Sequence, residues 1–194
     1  MEFTEFVLSH LPPPPVRILE IGCGRGELAL ALDARGYDMV AVDPEAPDGS
    51  IFRRTRIEEL DEPGPFDAAI ASFSLHHVAD LDAVLDKVVG VLAPEAVLIV
   101  DEFGWDLLDG ATAARYAIDR HEWDEEHDDL HRFEKLRGAL QRRFAERHFS
   151  WEPYFSRHVD ADAAEERELI AAGEIVPLGF RFVGRCRLSS DFRS

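Results

Sequence analysis

The chain has 194 residues, of which 46% are hydrophobic, and this length and composition suit one sizeable α/β domain with a full core. Its formal net charge of −18 argues against nucleic acid and anionic membranes as partners, because phosphate contacts require patches of Lys and Arg. Two cysteines, Cys23 and Cys186, form neither a disulfide framework nor a metal-ligand spacing. The acidic N-terminus is followed by no long apolar run, so we expect no signal peptide, no membrane span and a cytoplasmic location.

Hydrophobic periodicity predicts alternating strands and helices over the first half of the chain. A helix and a proline linker are expected in residues 1–15, a second helix in Glu27–Arg35, and a third after the capping residue Asp80. Such alternation implies a parallel sheet with right-handed crossovers. The predicted strands of this half are Val16–Ile21, Asp38–Asp43, Ile51–Arg56, Phe66–Ser72 and Ala96–Asp101.

In the second half of the chain, residues 105–147 are predicted to form a helical, aromatic and highly charged insert over the edge of the sheet. Strands are expected at Phe149–Phe155 and Phe180–Cys186, with a helix at Ala161–Ala172 between them. Gly173 stands where a helix C-cap is expected. We interpret the whole chain, residues 1–194, as a single domain.

A glycine-rich turn separates the first predicted strand from the following helix. Strand, glycine turn and helix together form a nucleotide-binding shape, in which glycine lets the backbone approach a ligand. A dinucleotide is usually bound by G-x-G-x-x-G/A, whereas the spacing here is Gly22-x-Gly24-x-Gly26, and Glu20 stands two residues before the first glycine. A carboxylate there is unfavourable for a pyrophosphate. It suits a ligand with an ammonium group, such as the amino-acid end of S-adenosylmethionine (SAM).

Asp43 ends the second predicted strand. A carboxylate at this place can accept both ribose hydroxyls of a nucleotide in charge-assisted hydrogen bonds. This feature fits NAD as well as SAM, so it does not discriminate between them. A plain turn without a ligand is the remaining alternative, and the combination of Glu20, three glycines and Asp43 disfavours it.

The segment Val16–Gly26 resembles motif I of the class I SAM-dependent methyltransferases of the small-molecule type. Phe66–Ile70, Leu75–Asp80 and Val91–Ala96 are similar to the family's fourth strand, the segment after it and the turn before the fifth strand. The resemblance implies a Rossmann-like three-layer α/β sandwich with a mostly parallel seven-stranded sheet of order 3-2-1-4-5-7-6, whose last strand is antiparallel. It also implies that residues 105–147 cover the acceptor side, that SAM is the cofactor, that S-adenosylhomocysteine is its product, and that the acceptor is a small molecule.

The resemblance further implies which residues bind the cofactor. The backbone of Gly22 and Gly24 would meet the methionine part, Asp43 would hold the ribose, Ile57 would lie at the adenine, and Ser72 would contribute backbone near the amino group. The predicted cofactor-binding set is Glu20, Gly22, Cys23, Gly24, Asp43, Pro44, Ile57 and Ser72.

Three positions depart from the family pattern. Pro94-Glu95-Ala96 lacks the usual pair of glycines before the fifth strand. The stretch Pro44–Ser50 is too short for the usual crossover helix between the second and third strands. Arg56 stands where an acidic residue often meets the adenine amino group.

Histidines provide the candidate catalytic and metal-binding groups. His76 and His77 follow the fourth strand at the ligand-binding edge, so either is a candidate general base; the alternative is that one packs under the cofactor while the other faces solvent. A metal site is not predicted, because a solvated helix face is the favoured interpretation of the three histidines in the insert. These are His121, His127 and His131.

The sequence favours a methyltransferase that moves a methyl group from SAM to a small-molecule acceptor by in-line displacement. The main alternative is a SAM-binding, methyltransferase-like module that is catalytically silent and serves a protein partner. A dinucleotide-dependent oxidoreductase is a third, disfavoured alternative. The oligomeric state has no signal in the sequence. Trp105, Tyr116, Trp123 and Phe133 either line an acceptor pocket or pack the insert against the sheet.

Overall fold

The computed structural model describes residues 1–157 and 161–187; positions 158–160 and 188–194 of the predicted single domain lie outside the described residues. The strands are β1 (Arg17–Ile21), β2 (Asp38–Asp43), β3 (Phe52–Arg54), β4 (Phe66–Ser72), β5 (Leu92–Phe103), β6 (Phe144–Glu152) and β7 (Gly179–Cys186). The helices are α1 (Phe3–His10), α2 (Glu27–Asp33), α3 (Leu81–Val91), α4 (Gly110–Arg115), α5 (Arg120–His127), α6 (Phe133–Arg143) and α7 (Ala163–Ala172).

The seven strands form one sheet of order β3-β2-β1-β4-β5-β7-β6. The strands from β1 to β5 pair in parallel, whereas β7 pairs antiparallel with both β5 and β6. The central strands β1 and β4 are almost continuously buried, as expected for parallel strands covered on both faces. The predicted strand order and the antiparallel last strand are therefore confirmed.

Helices cover both faces of the sheet, which gives the predicted three layers. On one face, α3 and α6 contribute apolar side chains such as Leu85 and Leu136 to the larger core cluster. On the other face, α1 and α2 contribute Phe6 and Leu32 to a second cluster. A third cluster lies beyond the end of β5 and is mainly aromatic. The carboxyl edge of β1, β2 and β4 lies between these layers.

Residues 105–147, predicted as one helical insert, divide between two places. A short 3-10 helix at Trp105–Leu107, followed by α4 and α5, belongs to the region beyond β5. By contrast, α6 packs on the sheet beside α3, where Arg143 donates to Asp82 at 2.7 Å and Asp86 at 2.6 Å. Of this segment, the stretch before α6 therefore belongs to the region beyond β5.

The predicted third strand, Ile51–Arg56, is shorter in the structure, and the largest errors in strand bounds concern β6 and β5. β6 begins at Phe144, inside the stretch predicted to be helical, because this residue pairs with Cys186 and tertiary pairing overrides local helix propensity. It ends at Glu152, before the predicted end at Phe155. β5 begins at Leu92 rather than Ala96, ahead of a register shift against β4.

Two turns agree with the sequence prediction, and two further local features bear on it. The stretch between β2 and β3 contains no helix, as its length predicts. Glu95 has a φ of 65°, so it takes the left-handed conformation at the turn that lacks the usual glycines. Gly173 caps α7 with a φ of 71°. No helix within residues 1–157 and 161–187 has the length and apolarity to cross a membrane.

Candidate active site

A cavity of about 440 Å³ opens at the carboxyl ends of β1, β2 and β4. This is the edge where open α/β sheets bind ligands. The residues that line it come from the glycine turn, the end of β2, the segment after β3 and the turn after β4. They are Ile21, Gly22, Gly24, Val42, Asp43, Pro44, Thr55, Arg56, Ile57, Glu58, Phe73, Ser74, His77, Val78 and Ala79.

Two of the three glycines in the glycine turn lack a side chain for different reasons. Gly22 has a φ of 72°, and a Cβ added there would lie 2.3 Å from the Cβ of Ser74. Gly24 has a φ of 50°, and a Cβ added there would meet nothing within 4 Å. Gly22 therefore allows the turn after β4 to pack closely, whereas Gly24, which lines the cavity, has open space where a Cβ would be.

Asp43, predicted to hold a ribose, lies at the end of β2 and lines the cavity. Its Oδ2 accepts the backbone N–H of Gly24 at 3.0 Å, and its Oδ1 accepts that of Glu45 at 2.8 Å. These bonds fix the carboxylate, and each oxygen keeps a further acceptor position. The side chain can thus accept hydroxyl groups of a nucleotide without moving.

Glu20 is 4% exposed, and its Oε2 is buried with no hydrogen-bond partner among the described residues. Burial, with a smaller contribution from the nearby carboxylate of Asp43, raises the pKa of this carboxyl to about 7, although a backbone hydrogen bond from Ala29 acts in the opposite direction. It lines a second, shallower depression of about 320 Å³ together with Cys23 and Ser72. Both hollows include Gly22 and Gly24. A buried acid with an unpaired oxygen here fits a ligand with an ammonium group, which would supply the missing donor.

The remaining predicted cofactor residues are divided between the main cavity and the shallower depression beside it. Pro44 and Ile57 line the main cavity on the side expected for the adenine. Cys23 is buried, and burial raises the pKa of its thiol to about 12, so it is not a nucleophile at neutral pH. Sequence reasoning missed Thr55 and Glu58, which follow a short strand without a recognisable motif.

The two adjacent histidines have different environments. His77 is exposed and lines the main cavity. Partial burial of its imidazole lowers the pKa of this group, and the neighbouring His76 lowers it further. His76 is buried, and its Nδ1 lies 2.6 Å from Oε2 of Glu102. The structure therefore places only His77 at the cavity, and the sequence did not single out Glu102.

The histidines of the insert have other partners. His127 stacks on Trp123, and its Nδ1 lies 2.7 Å from the Trp123 carbonyl oxygen. His131 has its Nδ1 3.1 Å from the amine of Lys135, and His121 is exposed. Among the residues that the structure describes, no group of three His, Cys, Asp or Glu side chains is arranged to hold a metal ion.

Aromatic side chains fill the region beyond Phe73. Phe103 stacks on Tyr154 with ring centroids 4.6 Å apart, and the indole N–H of Trp123 donates to the Trp105 carbonyl at 3.0 Å. The two tryptophans are buried in this cluster. Phe133 instead packs on the sheet in the larger core, so the predicted aromatic set is divided.

The Rossmann-like sheet, the glycine turn and the paired acids define a nucleotide-cofactor protein of the α/β class. A family profile described as a methyltransferase domain matches residues 2–165. The chain belongs to this methyltransferase-domain family. Membership confirms the resemblance to SAM-dependent methyltransferases, and SAM is the cofactor that this family assignment supports.

Individual relatives agree with this assignment. A ubiquinone biosynthesis O-methyltransferase from Azorhizobium caulinodans is 32% identical over 139 residues, which is 60% of this chain and 54% of the relative. A second such enzyme, from a Bradyrhizobium species, is 33% identical over 98 residues, 44% of this chain and 39% of the relative. The chain spans about half the length of the curated relatives it matches.

Solved structures share the fold. A SAM-dependent methyltransferase from Mesorhizobium loti has a TM-score of 0.65 and 20% identity, with 93% of this chain and 96% of that one covered. The N-methyltransferase NodS from Bradyrhizobium japonicum, solved with S-adenosylhomocysteine, has a TM-score of 0.60 and 15% identity, with 95% and 85% covered.

Proposed function

We propose that this protein transfers a methyl group from SAM to a small-molecule acceptor at the cavity between Gly24 and His77. The observation that carries this proposal is the buried carboxylate of Glu20, with its unpaired Oε2, beside the glycine turn, while Asp43 is fixed at the end of the next strand. A ligand that carries both an ammonium group and a ribose diol can donate hydrogen bonds to both acids, the ammonium group to Glu20 and the diol to Asp43. SAM contains both groups, and the name of the family is consistent with it.

Each residue of the site has a role in such a reaction that follows from its position. When bound, SAM supplies a methyl group already activated on a sulfonium, so the protein needs mainly to align the acceptor and exclude water. Glu20 would accept the ammonium group, Asp43 the ribose hydroxyls, and Ile57 would contact the adenine. The aromatic residues beyond Phe73 keep water from the acceptor side.

A hydroxyl or ammonium acceptor must lose a proton before or during transfer, and His77 is placed to accept it. It lines the cavity, and its lowered pKa keeps the imidazole neutral at pH 7. The acidic surface, with a net charge of −18, favours an acceptor that is neutral or cationic over one that is anionic.

Calorimetry with SAM and S-adenosylhomocysteine tests the cofactor site. We expect both to bind, and we expect Asp43→Ala to weaken SAM binding by about 1.5–3 kcal/mol for each charge-assisted hydrogen bond that the substitution removes. Asp48→Ala is the matched control, because this acid lies in the same loop but is exposed and pairs with Arg54 at 3.0 Å. No binding of SAM at submillimolar concentration would overturn the proposal. An unchanged SAM affinity in Asp43→Ala would show that Asp43 does not bind the ribose.

A catalytically silent SAM-binding module is the second candidate, and one observation favours it. The aromatic cluster packs closely beyond Phe73, with Tyr154 stacked on Phe103, where an acceptor would have to enter. A screen of phenol, amine and carboxylic acid acceptors, followed by release of S-adenosylhomocysteine, separates the two. Product with any acceptor excludes the silent module. Cofactor binding without product, together with a co-purifying protein partner, supports it.

A further inference from the structure

Glu102 is a fully buried carboxylate near the end of β5, with an exposure of 0%. Its Oε1 accepts the backbone N–H groups of Ser74 at 2.9 Å and Leu75 at 2.7 Å. Its Oε2 lies 2.6 Å from Nδ1 of His76. A buried charge is tolerated only when hydrogen bonds of this kind replace water. The backbone N–H of Phe103, the next residue in the chain, also donates to Oε2, at 3.3 Å. The other three partners belong to one turn, the stretch after β4.

That turn forms one wall of the proposed cofactor cavity. Ser74 and His77 line the cavity, and the Ser74 hydroxyl donates to the carbonyl of Ile21 at 2.9 Å. The ring of His76 lies 4.1 Å from the ring of His77, measured between centroids. Glu102 itself does not line the cavity. It therefore holds, from behind, the residues that face the ligand.

We propose that Glu102 is a positioning residue that fixes the turn from Ser74 to His77 against the cofactor cavity and sets the tautomer of His76. This inference rests on the proposed function, since it assumes that SAM binds in this cavity. Nothing in the sequence motif of the glycine turn requires an acid at this position, because its partners are distant in sequence and meet it only in the folded sheet.

The tautomer of His76 follows from which atoms of Glu102 and His76 can donate or accept a hydrogen bond. A carboxylate has no hydrogen to give, so the hydrogen in the contact between Glu102 and His76 must reside on Nδ1 of His76. A neutral His76 then keeps its lone pair on Nε2. In Glu102→Gln the backbone N–H groups of Ser74 and Leu75 hold the amide oxygen in the place of Oε1. The amide nitrogen must then face Nδ1 and donate to it, which moves the imidazole hydrogen to Nε2.

Two variants test the proposal by measurements that need no acceptor. For Glu102→Ala, calorimetry should show SAM affinity about tenfold lower, because the cavity wall from Ser74 to His77 loses the hydrogen bonds that hold it in place. For Glu102→Gln, affinity should fall by less than for the alanine variant, because the bonds to the turn are retained. Imidazole ¹⁵N NMR should show the His76 hydrogen on Nδ1 in the wild type and on Nε2 in the glutamine variant. If Glu102→Ala does not fold, the SAM affinity and the His76 tautomer of Glu102→Gln test the proposal.

Glu166 offers a matched control, since it is also buried and accepts backbone N–H groups of one turn. These come from Tyr154 at 2.7 Å, Phe155 at 3.1 Å and Ser156 at 2.8 Å. Glu166→Ala should lower stability as Glu102→Ala does, with SAM affinity within about twofold of wild type. An equal loss of SAM affinity in both variants would overturn the inference. So would a His76 hydrogen that stays on Nδ1 in Glu102→Gln. If these results hold but no acceptor is ever methylated, the proposed activity fails and the positioning role stands.

Discussion

Glu20 illustrates how folding changes the chemistry of a single residue. The sequence predicts an acid before the glycine turn, and its ordinary pKa would make it a permanent anion. The structure buries it, leaves its Oε2 unpaired and raises its pKa to about 7, so at neutral pH the ligand-free site holds a mixture of both forms. Because the folded pKa lies above the unfolded value of 4.5, the stability it contributes is complete below about 4.5 and is lost as pH rises through about 7.

The same pKa predicts how SAM binding depends on pH. An ammonium group binds the ionised carboxylate, so affinity should fall by about tenfold for each unit that the pH drops below 7. Calorimetry between pH 5.5 and pH 8 measures this, with circular dichroism to verify that the fold is retained. Glu20→Gln should bind SAM more weakly and with little dependence on pH. A wild-type affinity that is flat below pH 7 would contradict the role of Glu20 at the ammonium group.

Residues near one another in the chain were predicted more readily than those brought together by the sheet. Glu20, the glycines and Asp43 follow from a short motif and the end of the next strand, and the structure places them together. Glu102 and Phe73 have no such signal. Their place at the site depends on the pairing of β4 with β5, which puts Ser72 opposite Asp101. The split between His76 and His77 likewise depends on a buried partner distant in sequence.

In the glycine turn, alanine substitutions at Gly22 and Gly24 distinguish a packing role from a role in ligand binding. Gly22→Ala should lower the free energy of unfolding by about 2–5 kcal/mol, since overpacking against Ser74 adds to left-handed strain. Gly24→Ala should cost only about 1–2 kcal/mol, because its Cβ meets no atom. Urea unfolding measures both.

Calorimetry on the same two variants completes the comparison. Gly24→Ala should weaken SAM binding although it folds, because a methyl group is added to a residue that lines the cavity. If Gly24→Ala binds SAM as tightly as the wild type, the ligand does not approach this part of the turn. Equal stability losses in the two variants would contradict the packing role given to Gly22.

Elements with strong periodicity were predicted well, and those fixed by long-range pairing were not. β2 and β4 match their predicted bounds, since each is an apolar run between clear turn signals. β6 was displaced because the sequence from Phe144 to Arg147 has helical character, which its antiparallel pairing with β7 overrides. The strand order came from the family resemblance, not from periodicity.

At the scale of the whole molecule, the net charge of −18 should act on the cofactor. SAM has one more positive charge than S-adenosylhomocysteine, so the protein's field favours SAM. Salt shortens the screening length from about 10 Å at 0.1 M to about 3 Å at 1 M. Raising the salt over this range should weaken SAM binding roughly threefold and weaken S-adenosylhomocysteine less. Parallel salt dependences, measured by calorimetry, would show that the surface charge has no effect on cofactor choice.

The position of β7 has a consequence for biosynthesis. It is the last strand in the described chain, yet it lies between β5 and β6, and β6 pairs in the sheet only through it. As the ribosome releases the chain from its N-terminal end, β6 therefore emerges without a partner and must wait for α7 and β7. Until then the edge of β5 is open to the strands of neighbouring nascent chains. Completion of the sheet is thus a late, non-local event, and a ribosome that stalls before Gly179 leaves an unfinished sheet exposed to aggregation.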